Sequence, residues 1–375
     1  MNVALFLTYG YSIKTWKESG TLDREIAVYK KLNKLKNINF YIISYGDSSD
    51  EIILNNEHGI KVFPIYKHLK ESKFKYVNLI KSLTIPKLLK NNLDGITLVK
   101  QHQLLGCWVS LIYSLLIRKP YYLRTGYDMY LFSKQEGKSF FIRSFFKFLT
   151  YLGMRFSNIY SVTNNSDLLF LNERYKKYSA KLRLRPNFVE VLNNNFEKRY
   201  DKKILCVGRL EDQKNFELLV KEFQNTSNIL EIDLVGEGTL KNHLLICSTN
   251  NNVKINFFGI IDNNELLKMY TKYKFFFTTS KFEGNPKTLL EAMASGCVVF
   301  ASDIPNHREL IQNEVDGFLF SIEKPELKEL FFKVRNENEY LGKISKNAIK
   351  RVSINNSLNN LVENIYKDYE SILNK

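Results

Sequence analysis

Cysteine is scarce and solitary: Cys107, Cys206, Cys247 and Cys297 stand singly, with no CxxC pair and no histidine cluster nearby. That argues against a disulfide framework and a zinc site, and points to a reducing cytoplasm. Histidine numbers only five. No run reaches the roughly 18 apolar residues that span a bilayer, and the apolar stretch Leu104–Ile117 reads as a buried helix. The start, Met1-Asn2-Val3-Ala4-Leu5-Phe6-Leu7, lacks a basic leader and reads as a first strand, not a signal peptide. Acid is also lacking on one side. Residues 1–190 hold 30 Lys+Arg against 14 Asp+Glu, whereas residues 191–375 hold 25 of each, so the whole net charge of +16 sits in the first half.

What is present describes a globular chain of 375 residues, 44% hydrophobic and 25% charged, long enough for two domains. Residues 61–90 carry eight lysines and one acid, Glu71. Such asymmetry suggests an anionic partner (membrane lipid, a phosphorylated acceptor or nucleic acid) or else a solvated lysine face. The stretch Phe140–Phe156 places Phe141, Phe145, Phe148, Leu149 and Leu152 on one helical side, with Arg143, Lys147 and Arg155 as charge. It suits either a membrane interface or a core helix with snorkelling cations.

Short β-branched or apolar runs alternate with helical patterns throughout, the mark of βαβ units around parallel sheets. Strands are expected at Val3–Thr8, Phe40–Ser44, Lys61–Phe63, Thr97–Val99, Tyr121–Arg124 and Ile159–Val162. The pattern restarts with Ile204–Val207, Glu231–Val235, Val253–Phe258, Phe275–Thr279, Val298–Ala301 and Phe318–Phe320. The boundary falls near Arg185-Pro186-Asn187-Phe188 and the polar stretch Asn193–Tyr200. The expected organisation is a Rossmann-like domain at 1–187, a second at 188–352 and a helical tail at 353–375.

The sharpest chemical signal is Ser280-Lys281-Phe282-Glu283-Gly284-Asn285-Pro286-Lys287-Thr288-Leu289-Leu290-Glu291-Ala292-Met293-Ala294-Ser295-Gly296. A strand, a glycine loop and a helix with Pro286 at its first position deliver free N–H groups and a helix dipole to the carboxyl edge of a sheet, where phosphates bind. Glu283 in the loop and Glu291 about two turns into the helix flank that anion site. Carboxylates there need hydrogen-bond donors such as sugar hydroxyls. A second strand–glycine–helix element, Cys206-Val207-Gly208-Arg209-Leu210-Glu211-Asp212-Gln213-Lys214-Asn215, brings Arg209 and Lys214 to the same edge. Two cations there suit a diphosphate and the charge that grows as it leaves.

These residues resemble glycosyltransferase family 4, whose GT-B fold has two facing Rossmann-like domains. The match runs through the E-x7-E element Glu283–Glu291 in LLEAMASG, through VGRLEDQKN, through Val235-Gly236-Glu237-Gly238, through Phe257-Phe258-Gly259, and through the linker Arg185-Pro186-Asn187. The form EGNPKTLLEAMASG resembles a bacterial branch that assembles surface or lipid-linked glycans. The resemblance implies a retaining transfer from a UDP- or GDP-sugar without metal or other cofactor. It implies an acceptor-side domain at 1–187, a nucleotide-sugar-binding domain at 188–352 and a tail at 353–375 returning towards the first domain. It implies Glu283 at the donor sugar, Glu291 at the nucleotide ribose, the backbone of Asn285, Pro286, Lys287 and Thr288 around the diphosphate, and Gly236 and Phe258 near the nucleotide. It implies a glycan or polyprenyl-linked acceptor, and with the basic first half a peripheral location on the inner face of the plasma membrane.

The first half departs from that pattern. The family's glycine-rich donor loop is present only as Glu18-Ser19-Gly20-Thr21, with Gly20 facing phosphate. The family's histidine is replaced by Arg124 or supplied by His102. Trp16, in the polar loop Tyr9–Gly20, is expected either to contact the acceptor or to anchor the loop. Two other readings remain: a GT-B nucleotide-sugar epimerase, disfavoured by scarce histidine, and a basic nucleic-acid-binding protein, for which no motif is found.

Overall fold

Runs rich in Val, Ile, Phe and Tyr form thirteen strands among the described residues, all pairing in parallel in two sheets. The computed structural model describes residues 1–192, 196–227, 229–324 and 326–374. Two units emerge, Met1–Pro186 with Leu361–Lys375, and Asn187–Asn360.

In the first unit, β1 (Asn2–Phe6), β2 (Asn39–Ser44), β3 (Ile60–Pro64), β4 (Leu98–Gln101), β5 (Tyr121–Arg124), β6 (Ile159–Val162) and β7 (Leu182–Leu184) lie in the order β3-β2-β1-β4-β5-β6-β7. The register places Ala4 between Tyr41 and Val99. The second unit holds β8 (Tyr200–Val207), β9 (Glu231–Val235), β10 (Lys254–Gly259), β11 (Tyr273–Thr278), β12 (Val298–Ser302) and β13 (Phe318–Phe320), ordered β10-β9-β8-β11-β12-β13. Every residue of central β11 is buried, as expected where helices cover both faces of a parallel sheet. Around it Phe275, Phe277, Phe300 and Phe331 interlock, with Phe275 edge-on to Phe331 at 5.0 Å. In each sheet the strand order reverses once, between β1 and β4 and between β8 and β11, and the crevice for a ligand opens at the carboxyl ends there.

The architecture is the two-domain α/β class anticipated from sequence. Several details differ. β7 was not expected; its three residues, Leu-Arg-Leu, are too few to show a period. The stretch Tyr9–Gly20 is not simply a loop, because Ser12 caps a helix at Ile13–Glu18 through its hydroxyl and the Thr15 N–H. Pro286 is the N-cap, extended at ψ 106°, and the helix proper is Lys287–Ala294. Of the polar stretch Asn193–Tyr200, residues 193–195 lie outside the described residues. The break placed at 352/353 falls inside the helix Asn338–Asn355, and the change of unit comes at 360/361.

The last helix, Leu358–Leu373, belongs for most of its length to the first unit. Asp368 on it takes a two-pronged bond from Arg185, at 2.8 and 2.6 Å. Tyr369 stands edge-on to Tyr122 at 5.5 Å. Beneath them Lys100 of β4 is fully buried, its amine about 5 Å from the rings of Tyr29, Tyr122 and Tyr369. Burial and then the nearby charge of Arg124 hold that amine down to about 7, against the pull of Asp368. In the second unit, the entering and leaving segments are tied: the Asn356 side chain donates to the Asn187 carbonyl at 2.7 Å.

Candidate active site

The second unit's crevice is built by two loops held together backbone to backbone. Gly208 follows β8, and its N–H donates to Val235 O at 2.9 Å. Gly236, after β9, has φ 137°, and a Cβ there would stand 2.0 Å from Gly208 O, so only glycine allows this approach. After a short turn at Asp212–Lys214, the Lys214 side chain lies across Gly208. The β8 loop is stitched to the β11 loop by Thr279 Oγ1 donating to Lys214 O at 2.8 Å and by Lys281 N donating to Gln213 O at 2.9 Å.

These ties bring Glu283 against Lys214. One carboxylate oxygen accepts from the Lys214 ammonium and from Ser280 Oγ (2.7 Å), and the other from Gln213 Nε2 (3.4 Å). The two charged side chains are 9% and 13% exposed. Burial pulls the Glu283 carboxyl upward, but the Lys214 charge and the hydrogen bonds outweigh it and hold the group below its ordinary value. Arg209 is exposed, and its guanidinium donates to Gln213 Oε1 at 3.1 Å. Gln213 therefore links Arg209 to Glu283, and it also donates to Phe282 O at 2.9 Å.

Behind this pair lies His307, fully buried in the helix Pro305–Leu310. Its Nδ1 sits 2.8 Å from Ser302 O and 3.3 Å from Ser302 Oγ, and Ser302 Oγ in turn donates to Ser280 O. His307 Nε2 is buried with no hydrogen-bond partner. Burial pushes this imidazole down to about 4, although Glu283 pulls the other way. A neutral histidine thus backs the charged pair. Sequence reasoning missed Gln213, Ser280 and His307. The first two lie inside the quoted motifs; His307 stands 24 positions beyond Glu283 with no spacing that marks it.

Glu291 turns elsewhere. It is 3% exposed, and its oxygens accept from Asn263 Nδ2 (3.2 Å) and Tyr270 OH (3.5 Å), both on the helix Asn263–Tyr270. The two glutamates therefore engage different elements, Glu283 the β8 loop and Glu291 the helix after β10. Between them Asn285 is occupied with the chain that enters the unit: its side-chain oxygen accepts from Asn187 N (3.0 Å) and its carbonyl from Asn187 Nδ2 (2.8 Å). Pro286 supplies no side-chain cap, so Lys287 and Thr288 open the helix with their N–H groups turned to the crevice end of the sheet. Phe258, on edge strand β10, is 47% exposed. Among the described residues no group of three His, Cys, Asp or Glu is spaced to hold a metal ion.

The first unit gathers its named residues at the corresponding edge. His102 follows β4; its ring nitrogens meet Tyr29 OH at 3.1 Å and Glu25 at 3.4 Å. Trp16 is 5% exposed and packs edge-on against His102 at 5.2 Å, so it anchors the segment and leaves little ring face for an acceptor. Gly20, at φ 67°, is buried in the turn before the helix Leu22–Lys36. Arg124 ends β5, close enough to shift both Lys100 and Tyr29.

Two doubly wound parallel sheets, each with its crevice at the strand-order reversal, define the Rossmann-like pair of a GT-B glycosyltransferase fold. Comparison with known proteins agrees. Residues 190–351, within the second unit, match the family described as "Glycosyl transferases group 1". The chain is 35% identical over 153 residues to the Campylobacter jejuni N-acetylgalactosamine-N,N'-diacetylbacillosaminyl-diphospho-undecaprenol 4-alpha-N-acetylgalactosaminyltransferase, a match spanning 40% of this chain and 41% of that relative's length. It is 26% identical to a glycosyltransferase of Methanocaldococcus jannaschii over 91% of this chain and 92% of the relative. Its fold is similar to that of Anabaena HepE in complex with UDP-glucose, with a TM-score of 0.72, 15% identity and 98% and 99% of the two chains covered.

Proposed function

We propose that the chain is a retaining, metal-independent glycosyltransferase that moves a sugar from a UDP- or GDP-sugar to a glycan or lipid-linked acceptor in surface-glycan synthesis. The observation that carries this is the ionised Glu283 held beside Lys214, with Arg209 tethered through Gln213, at the reversal point of the second sheet. In the reaction the bond between the anomeric carbon and the diphosphate breaks, and Arg209, Lys214 and the amides opening helix Lys287–Ala294 stabilise the departing charge. Glu283 supports the positive charge growing at the anomeric carbon. The acceptor oxygen attacks from the leaving-group side and gives its proton to the leaving phosphate, which retains the configuration. Two cations serve the diphosphate where a divalent metal serves it in other transferases. In this reading Glu291, which accepts from Asn263, holds the ribose.

The name of the Campylobacter relative supports a polyprenyl-diphosphate-linked acceptor, and with it a working place at the inner face of the plasma membrane. The test is a calorimetric screen of UDP-, GDP- and ADP-sugars, then turnover with lipid-linked acceptors and assignment of the product anomer by NMR. Binding of a UDP- or GDP-sugar and transfer with retention are expected. An inverted product, or an epimerised sugar released without acceptor, overturns the reading.

A further inference from the structure

The helix Lys75–Lys81 buries none of its residues. Seven residues are too few for a helix to persist in water without tertiary support. Here the support is local: Ser72 and Asn78 exchange two bonds, at 2.8 and 2.9 Å. Large apolar side chains around it face outward, with Phe74 59%, Tyr76 64% and Ile80 67% exposed. The helix Phe140–Phe156 presents a second such face, with Phe141 82% and Phe148 54% exposed. Trp108 joins the two, because its indole N–H donates to Ser82 Oγ at 2.9 Å and its ring lies 6.5 Å from that of Phe145. Isolated exposed apolar residues are ordinary, but a joined patch on this scale marks an interaction surface.

Its charge selects the occupant. Residues 72–93 and 137–156 contain no acid. Lys73, Lys75, Lys87 and Lys90 are exposed and enter no ion pair among the described residues. A second copy of the chain would set these lysines against each other; an anionic bilayer complements them. The lysine cluster of 61–90 also divides. Lys67 pairs with Glu51, and Lys61, on β3, lies over the Tyr41 ring of β2, so neither belongs to the patch.

We propose that helices Lys75–Lys81 and Phe140–Phe156 form one membrane-docking face, with Tyr76, Ile80, Phe141 and Phe148 entering the headgroup–acyl boundary and the free lysines meeting anionic headgroups. It deepens the lipid-linked-acceptor reading and rests on that reading for its purpose, not for its geometry. Flotation of the full chain is measured with phosphatidylcholine vesicles with and without phosphatidylglycerol, at low and high salt. Wild type is expected on the anionic vesicles, with binding reduced but not abolished by salt. The quadruple variant Tyr76→Ser/Ile80→Ser/Phe141→Ser/Phe148→Ser is expected to lose binding on the order of tenfold or more. Leu245→Ser/Ile246→Ser, which removes exposed apolar groups from the second unit, is expected to float like wild type. The two double variants, one per helix, stand in if the quadruple fails to fold by circular dichroism, and each is expected to weaken binding. Absence of wild-type binding, wild-type flotation by the variants, or a dimer that the variants dissolve without any vesicle binding overturns the proposal. Donor turnover is measured separately with a short soluble acceptor. Wild type that turns over donor but does not float rejects the face alone, and wild type that floats without turnover rejects the transferase reading alone.

Discussion

The two units share one strand order and furnish its reversal point in opposite ways. In the second, the edge between β8 and β11 is charged and braced: Lys214, Glu283, Gln213 and Ser280 saturate one another, and neutral His307 stands behind. In the first, the edge between β1 and β4 is filled by Trp16, His102 and Tyr29, rings packed against rings and one glutamate. The net charge runs the other way, +16 on residues 1–190 and zero on the rest. The neutral domain balances its charges in pairs, and buries one of them, Lys214 with Glu283, at the crevice. A basic domain spreads its charges over a surface, where they can act on something much larger.

The sharpest break in this comparison comes from the braced pair. Lys214→Ala should lower turnover on the order of 10²-fold or more and also cost about 3 kcal/mol of stability, because Glu283 is left buried and unpaired. Arg209→Ala, at an exposed position, should lower turnover comparably with little change in the melt. Steady-state kinetics beside denaturant titration would show it, and equal stability losses for both variants would dissolve the distinction. Glu283→Gln should depress turnover far more than donor binding.

The first unit's buried amine gives the next effect. Lys100 has a folded value of about 7 against an ordinary 10.5, so between those pH values the unfolded chain binds the extra proton and stability rises with pH. The difference in unfolding free energy between wild type and Lys100→Met should therefore climb in that window, with a slope approaching about 1.4 kcal/mol per pH unit, and level off below it. A flat difference would show that the amine is solvated. Smaller again, Glu291→Ala should weaken nucleotide-sugar binding by about 1–3 kcal/mol through lost hydrogen bonds, read by calorimetry. The smallest expected effect is none: EDTA should leave turnover unchanged, and loss restored by magnesium or manganese would remove the metal-free reading.

Legibility followed the same divide. Strand–glycine–helix elements with cations and carboxylates at fixed offsets could be read directly, because loop chemistry is local in sequence. The approach of Gly236 to Gly208, the Gln213 link and the placing of His307 are contacts across loops, which no single segment announces. In the first unit, Trp16 looked like a loop residue because the capping of its helix depends on Ser12 and Thr15, two small polar residues that also suit turns. The helix Lys75–Lys81 escaped notice because its apolar residues follow no core-facing period.

The return of the final helix to the first sheet also orders events during synthesis. Residues 187–360 are complete in sequence before Asp368 and Tyr369 exist to cover Arg185, Lys100 and Tyr122. On the ribosome the second unit can close while the first unit still waits for helix Leu358–Leu373. A frameshift or stop codon shortly after residue 360 would spare the second unit's crevice and leave the other unit with an open tyrosine cage, a lesion that proteases, not substrate-binding assays, would detect first.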